Sequence, residues 1–370
     1  MNLKNNCKFI GLGNYGGKQV KEFLSLDYKV IAANGSEQDL KVLGDIPKYH
    51  LNNFDGFGGN REKALACLEQ NPDFLRFVSN TDEEIIFLVF SGGGSFGSGC
   101  GTILAEMLAQ QDINEDGNPK KIVCPIIALP STDEAIKKHK NAYDTIKELQ
   151  EIIESGIKLG AAFFINNNFS ITNGTHKEKD YHYINNTFAK FLDVFLSNDT
   201  YGELNNFDEA ERLEMLKDSG MMVMNIMNVK EKDQTLDQAL MLRKLTSDGI
   251  FAPVENNKIC ENIAIIHAGQ GNSDIGKDII IAEAGKPKNI FEGYNGRSTL
   301  VAISGLNYPV SHISRLGESV KTAYEERRRN KQLVKKLDDL DLAENEPHKL
   351  SVIRERKPTK WDVLQKKINI

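Results

Sequence analysis

No apolar run in this 370-residue sequence approaches the length needed to cross a bilayer. The opening residues, Met1-Asn2-Leu3-Lys4-Asn5-Asn6, lead straight into an apolar segment without a signal-peptide core. Cysteine is sparse. Cys7, Cys67, Cys100, Cys124 and Cys260 are scattered, odd in number and lack metal-ligand spacing, so they read as reduced thiols rather than a disulfide framework. An excess of positive charge is missing too: the net charge of −6 excludes a chain that binds nucleic acid over its whole surface, though not through a local basic segment. No internal repeat of solenoid type is present. These absences predict a soluble cytoplasmic protein with no membrane partner, long enough for two domains.

Glycine, by contrast, is concentrated. The apolar run Ile85-Ile86-Phe87-Leu88-Val89-Phe90 feeds into Ser91-Gly92-Gly93-Gly94-Ser95-Phe96-Gly97-Ser98-Gly99-Cys100-Gly101, and a helix-like segment begins at Thr102. Strand, glycine loop and helix together wrap backbone N–H groups around phosphate, and side chains would block the approach. A second loop, Gly11-Leu12-Gly13-Asn14-Tyr15-Gly16-Gly17, sits between Cys7-Lys8-Phe9-Ile10 and the helical Lys18–Leu24. On its own it matches a dinucleotide fingerprint. That reading needs an acid just after the second strand, where this chain has Asn34, with Glu37 too far along. A Rossmann-type NAD enzyme is therefore the remote alternative.

The first half alternates apolar runs (Lys29–Ala33, Ile85–Phe90, Ile122–Leu129, Ala161–Ile165) with helical patterns, the longest spanning roughly Glu134 to Glu154. This predicts an α/β fold with a parallel sheet buried on both faces. A helix is expected over Tyr181–Leu196, from the spacing of Tyr183, Phe188, Phe191, Leu192 and Phe195. A smaller α/β unit follows, with strand candidates at Met221–Met227, Ile263–His267 and Thr299–Ser304. Beyond Pro309 come a charged helical arm, Ile313–Leu342, and a tail, Pro347–Ile370, in which seven lysines and arginines face only Glu355 and Asp362.

Taken in order, the loops resemble those of the tubulin/FtsZ superfamily over most of the chain. Gly11–Val20 resembles the first nucleotide loop, Ala33–Leu40 the second, Gly56–Glu62 the third that closes over the γ-phosphate, and Ser91–Gly101 the signature loop. In the signature, Gly97-Ser98-Gly99 matches the family pattern. Without a gap, Ser95 and Phe96 stand where glycine and threonine are usual; with one inserted residue, Ser95 takes the place of the threonine. Pro130–Glu134 with Lys137-Lys138 resembles the fifth loop, Phe164–Asn167 the sixth, and Tyr181–Asn185 the start of the central helix. Asn206, Asp208 and Glu211 fall on the spacing of the family's acidic catalytic loop, with glutamate at the last position and Gly220 beyond it.

The resemblance implies a GTPase whose GTP or GDP is held by Gly13, Asn14, Tyr15, Gly16, Asn34, Gly58, Gly59, Asn60, Gly93, Gly94, Ser95, Phe96, Gly97, Ser98, Glu134, Lys138, Asn167, Tyr181 and Asn185. Glu134 would take the ribose, with Lys138 where the family has arginine; Asn167, with its neighbour Asn166 as the alternative, and Asn185 would read guanine, and Tyr181 would stack on it. Asp208, Glu211 and Asn206 would be catalytic, and Mg²⁺ would bind through phosphates and water rather than side chains. The implied division is a GTP-binding domain over 1–180, a central helix and connection over 181–204, an activation and polymerisation domain over 205–310, and a C-terminal arm and basic tail over 311–370. Head-to-tail filaments are implied, with the acidic loop of one subunit completing the site of the next. The arm and basic tail resemble the TubZ branch, plasmid- and phage-borne partitioning GTPases of bacterial cells whose tail engages a DNA-bound adaptor of TubR type. Trp361 would anchor such a docking peptide. A cell-division GTPase of FtsZ type is the alternative within the superfamily.

Overall fold

The computed structural model describes residues 3–111, 113, 119–203, 205–229, 235–269, 274–333 and 359–368. Strands are β1 (Cys7–Leu12), β2 (Lys29–Asn34), β3 (Lys48–His50), β4 (Ile85–Ser91), β5 (Ile122–Leu129), β6 (Ala161–Asn166), β7 (Gly220–Met227), β8 (Asn262–Ala268), β9 (Asn289–Gly296) and β10 (Thr299–Leu306). The helices are α1 (Gly13–Leu24), α2 (Glu37–Lys41), α3 (Lys63–Gln70), α4 (Pro72–Ser79), α5 (Phe96–Gln110), α6 (Ile136–Glu154), α7 (Lys177–Ser197), α8 (Glu209–Lys217), α9 (Gln238–Thr246), α10 (Lys277–Ala284), α11 (Val310–Leu333) and α12 (Lys360–Ile368).

Among the described residues all ten strands join one sheet in the order β3-β2-β1-β4-β5-β6-β7-β10-β8-β9. Pairing is parallel from β3 through β7; β10 is antiparallel to both its neighbours, and β8 and β9 are parallel. The continuous apolar runs become the inner strands: every residue of Ile85–Phe90 and of Ile122–Leu129 is buried, as helices on both faces require. Near the start of β1, Phe9 stacks between Phe23 of α1 and Phe87 of β4, at 3.8 and 4.5 Å between ring centroids.

Both edge strands, β3 and β9, escape the apolar-run reading. Lys48-Tyr49-His50 and Asn289-Ile290-Phe291-Glu292-Gly293-Tyr294-Asn295-Gly296 carry polar and glycine residues because an edge is half solvated. The second unit is not a separate layer: β6 meets β7 through Ala161↔Gly220 and Ala162↔Met221, so its strands extend the first sheet.

Helix α7 begins four residues before the expected Tyr181. Its first turn, Lys177-Glu178-Lys179-Asp180, has no apolar residue to signal it. The turn is held instead by buried Asp180, which accepts from Ser170 Oγ (2.6 Å), Thr172 Oγ1 (2.8 Å) and the amides of Ile171 and Thr172 (both 3.0 Å). At 21 residues α7 spans roughly 30 Å. Lys177 at one end pairs with Asp133 in the loop after β5; Asp193 near the other accepts from Tyr28, just before β2, at 3.0 Å. The helix therefore runs from the carboxyl ends of the strands to their amino ends. Helix α11 covers the described part of the expected arm; residues 334–342, and 347–358 and 369–370 of the tail, lie outside the described residues.

Candidate functional site

The strand order reverses between β1 and β4, where connections leave in opposite directions. Ligands of open parallel sheets bind outside the carboxyl ends of strands at such a point. Both glycine loops are there. Gly11 pairs with Val89 across the two strands, and the N-termini of α1 and α5 follow directly.

Neither helix has an acidic residue in its first turn or a side chain capping its first amides. Two uncapped N-termini with free N–H groups form a site for anions. The loops touch: a Cβ on Gly13 would lie 3.7 Å from the Gly97 nitrogen, and one on Gly97 only 2.9 Å from the Leu12 carbonyl oxygen. Gly13 also has φ +73°, a conformation that side chains disfavour. A Cβ on Gly16 would fall on the Val89 carbonyl.

Within the signature run, Gly93, Gly97 and Ser98 are buried, and Gly94 and Ser95 half-buried. Ser98 Oγ donates to the Gly94 carbonyl at 2.6 Å. Ser95 is the N-cap residue of α5, without a side-chain cap bond. Phe96 turns inward against Phe57, 5.2 Å away, and its ring also backs the first loop, with Cδ1 3.6 Å from where a Cβ on Gly13 would lie. Asn14 is exposed, and the Tyr15 hydroxyl lies 3.5 Å from Gln19 Oε1.

The remaining predicted residues ring the same end of the sheet. Asn34, at the end of β2, is buried; its side chain donates to Asp39 at 3.0 Å and accepts from the Ser36 amide at 3.2 Å, opening α2. Gly58 and Gly59 have φ +58° and +74°, and Asn60 Oδ1 accepts from the Glu62 amide at 2.9 Å. Glu134 accepts from the Ser131 amide at 3.2 Å and pairs with Lys138 one turn along. Tyr181 lies against this loop, its hydroxyl pushed up by burial and by the Glu134 carboxylate. Asn167 is half-buried just past β6, and its side chain makes no hydrogen bond among the described residues. Asn185 is buried, and its carbonyl accepts from Gln19 at 3.0 Å.

The three predicted catalytic residues are elsewhere. Asp208 and Glu211 form the capping box of α8: Glu211 N donates to Asp208 Oδ1 at 2.9 Å, and Asp208 N to Glu211 Oε2 at 3.0 Å. Exposed Asn206 closes the preceding loop through its 2.7 Å bond from the Gly202 amide. Burial raises the Glu211 carboxyl above its ordinary value, against the pull of the Asp208 amide that donates to it. Helix α8 is strapped to the far end of α7 by Arg212, which donates to the Phe195 and Asn198 carbonyls at 2.8 and 2.7 Å. Its Glu209 accepts from the Leu3 amide ahead of β1 at 3.0 Å. The acids thus sit at the amino ends of the strands, a full length of α7 away from the glycine loops.

Residues 6–160, which contain both glycine loops, match the sequence pattern of the "Tubulin/FtsZ family, GTPase domain". They are a tubulin/FtsZ-family GTPase domain. Over its whole length the chain is similar to the tubulin-like protein TubZ of a Clostridium botulinum C phage, at 23% identity over 100% of this chain and 98% of that protein. The tail-truncated C. botulinum phage c-st TubZ structure superposes with a TM-score of 0.73, at 22% identity, over 88% of this chain and 99% of that one. CetZ2 of Haloferax volcanii, solved as a GTPγS-bound protofilament, gives 0.69 at 21% identity over 86% and 99%. At these identities the structures establish a shared fold.

In the GTPase domain the sequence reading misses the residues that hold the loops from behind. Asn141 of α6, buried, donates from Nδ2 to the carbonyls of Gly94 (2.9 Å), Gly59 (3.3 Å) and Gly93 (3.4 Å). Thr145 donates to Gly92 at 3.2 Å, Lys137 to Gly58 at 3.2 Å, and Arg61 to Ser98 at 2.8 Å. His139 bridges the Ser131 carbonyl and Ser319 of α11. The amphipathic i, i+4 spacing of Asn141 and Thr145 was the available signal, since it puts two small polar groups on an otherwise apolar face. Among the described residues no helix is long and apolar enough to cross a membrane, and no group of three His, Cys, Asp or Glu is arranged to hold a metal. All five cysteines are free and buried, with Cys7 and Cys67 pushed up to about 12 by burial, which silences them as nucleophiles.

Proposed function

We propose that this protein is a filament-forming GTPase in which each subunit binds GTP at its glycine loops and the next subunit's Asp208 and Glu211 complete hydrolysis. The observation that carries this reading is the separation of the two halves of the chemistry along α7. A carboxylate about 30 Å from the phosphate loops cannot polarise water there within one chain. A second copy stacked amino end onto carboxyl end brings them together. Such a heterologous contact does not close, and so propagates into a polymer. The protofilament form of the CetZ2 structure supports it.

In this reading the amides of Gly13–Gly16 and Gly93–Ser98 hold the phosphates, and Gly58–Asn60 covers the last of them. Glu134 and Lys138 meet the ribose, Asn167 and Asn185 read the guanine edge, and Tyr181 packs on the base. The phosphate loops offer amides and no carboxylate, so Mg²⁺ would be held through phosphates and water rather than by side chains, and would supply positive charge against that developing on the phosphates. Asp208 and Glu211 orient and polarise the attacking water. The full-length similarity to a phage TubZ supports DNA segregation as the task, with the basic tail as the contact for a DNA-bound adaptor.

GTP turnover per subunit measured against protein concentration tests this function. It should rise from near zero at a threshold where GTP, and not GDP, sends the protein into the pellet. Turnover per subunit independent of concentration would contradict it.

A further inference from the structure

Helices α3 and α5 of the GTPase domain carry on their outer side a helix from the far end of the chain. Helix α12 sets Trp361 and Leu364, both buried, against them. Its start is fixed locally: Asp362 N donates to Thr359 Oγ1 at 3.1 Å and Thr359 N to Asp362 Oδ2 at 2.9 Å. Two polar contacts bracket the dock, Thr359 Oγ1 to Glu106 of α5 at 2.8 Å and Lys367 to Glu69 of α3 at 2.7 Å.

A third contact leads inward. Lys360 reaches Glu148 Oε1 of α6 at 2.8 Å. That carboxylate also accepts from Arg61 through both Nη1 (2.8 Å) and Nη2 (2.7 Å), and from Thr102 Oγ1 at 2.9 Å. Arg61 is buried, directly follows the Gly58–Asn60 loop, and gives its Nη2 to the Ser98 carbonyl as well. Four residues thus join the tail to the anion loop without a gap: Lys360, Glu148, Arg61, Ser98. Burial pushes the Glu148 carboxyl up, but the two cations outweigh it and hold the group ionised.

We infer that docking of the tail helix and binding of nucleotide are coupled through this relay, so that the docked tail sets the Ser91–Ser98 loop for phosphate. Arg61 and Glu148 are positioning residues: they act on the loop rather than on the ligand. With α12 docked, Glu148 is fixed between two cations and holds Arg61 against Ser98. With α12 released, Glu148 keeps one cation and a freer side chain, and the loop loosens. A partner that captures the Trp361–Leu364 face must first lift α12 away, and in doing so lowers the affinity for GTP. This inference rests on the reading that the loop holds GTP phosphates.

Trp361 is the only tryptophan in the chain, so its emission and its quenching by iodide report docking directly. In the full chain, GTPγS should lower the quenching of Trp361. Coupling is reciprocal, so a chain ending at residue 358 and Lys360→Ala should each bind GTPγS about fivefold more weakly, the low end of coupling between sites. Lys360→Arg should bind normally. In Glu148→Gln, truncation should cost no further affinity, because the relay is already cut. If the truncated chain does not fold, Lys360→Ala decides. Unchanged GTPγS affinity in Lys360→Ala, or Trp361 quenching indifferent to GTPγS, overturns the coupling alone. Failure of the intact chain to bind GTPγS overturns the functional reading and the coupling with it.

Discussion

Asn141 offers the sharpest test of how the phosphate loops are held. One side-chain amide faces three backbone carbonyls from two loops, at 2.9, 3.3 and 3.4 Å, but has only two donor hydrogens. The short bond to Gly94 is the strong one; the other two share what remains. In Asn141→Ala the short bond goes, at about 1 kcal/mol net; the Gly94 carbonyl keeps its bond from Ser98 Oγ, but the buried Gly93 carbonyl loses the donor it has in Asn141, at about 1 kcal/mol or more. Nucleotide would have to restore the loop geometry on binding. About 2 kcal/mol of lost preorganisation corresponds to roughly 30-fold weaker binding of GTP. Asn141→Asp keeps the shape but turns a carboxylate toward carbonyl oxygens, and should bind more weakly still. Calorimetric titration with GTPγS measures both. Wild-type affinity in both variants would refute the idea that Asn141 organises the loops.

Three further outcomes follow from the geometry. Gly16→Ala places a Cβ on the Val89 carbonyl and 2.8 Å from the Gly11 carbonyl carbon, both backbone atoms that cannot move aside; about 3 kcal/mol of destabilisation should appear in chemical denaturation, with nucleotide binding lost. Asp208→Asn and Glu211→Gln keep the capping bonds of α8, since asparagine caps well and glutamine serves at the third position. Thermal unfolding should shift little while GTP turnover drops by about 10²-fold or more. Asp180 is buried, which pushes its carboxyl up, yet its four hydrogen bonds prevail and hold it below the ordinary 3.8. A folded-state value below the unfolded one gives stability that is present above the unfolded value and is lost as pH falls through the folded one. Asp180→Asn should therefore melt lower than wild type at neutral pH, and the gap should narrow below about pH 4.

The sequence was most legible where chemistry and packing demand the same residues. Ile85–Phe90 is uniformly apolar because β4 is covered on both faces, and the glycines after it are needed because two backbones approach there; both could be read directly. Edge strands β3 and β9 could not, since a half-solvated strand needs no apolar run. The capping box of Asp208 and Glu211 was hidden for another reason. Its spacing serves a helix start and an acidic catalytic loop equally well, and only the fold places it at the opposite end of α7 from the glycine loops. Trp361 was readable as an anchor but not by what it would be buried against. Its surroundings, α5 and α3, are tied to the tail by pairs 253 and 298 residues apart in the chain, and nothing in a local pattern encodes that distance. Arg61 and Glu148 were invisible likewise: each is an ordinary polar residue until the fold brings it to its partners, whereas Asn141 showed only as one of two small polar groups on the apolar face of α6.

The central claim, that two copies share one hydrolytic site, is tested most directly by mixing two inactive variants. Glu211→Gln keeps its glycine loops and lacks the carboxylate; Gly13→Ala, strained at φ +73° and directed at the other loop, keeps the carboxylate and lacks the nucleotide site. Each alone should turn over little GTP. Mixed in equal amounts, they should regain activity, because the acids of one meet the loops of the other at alternate junctions. A mixture no more active than its parts, from variants that still assemble together, would contradict the shared site.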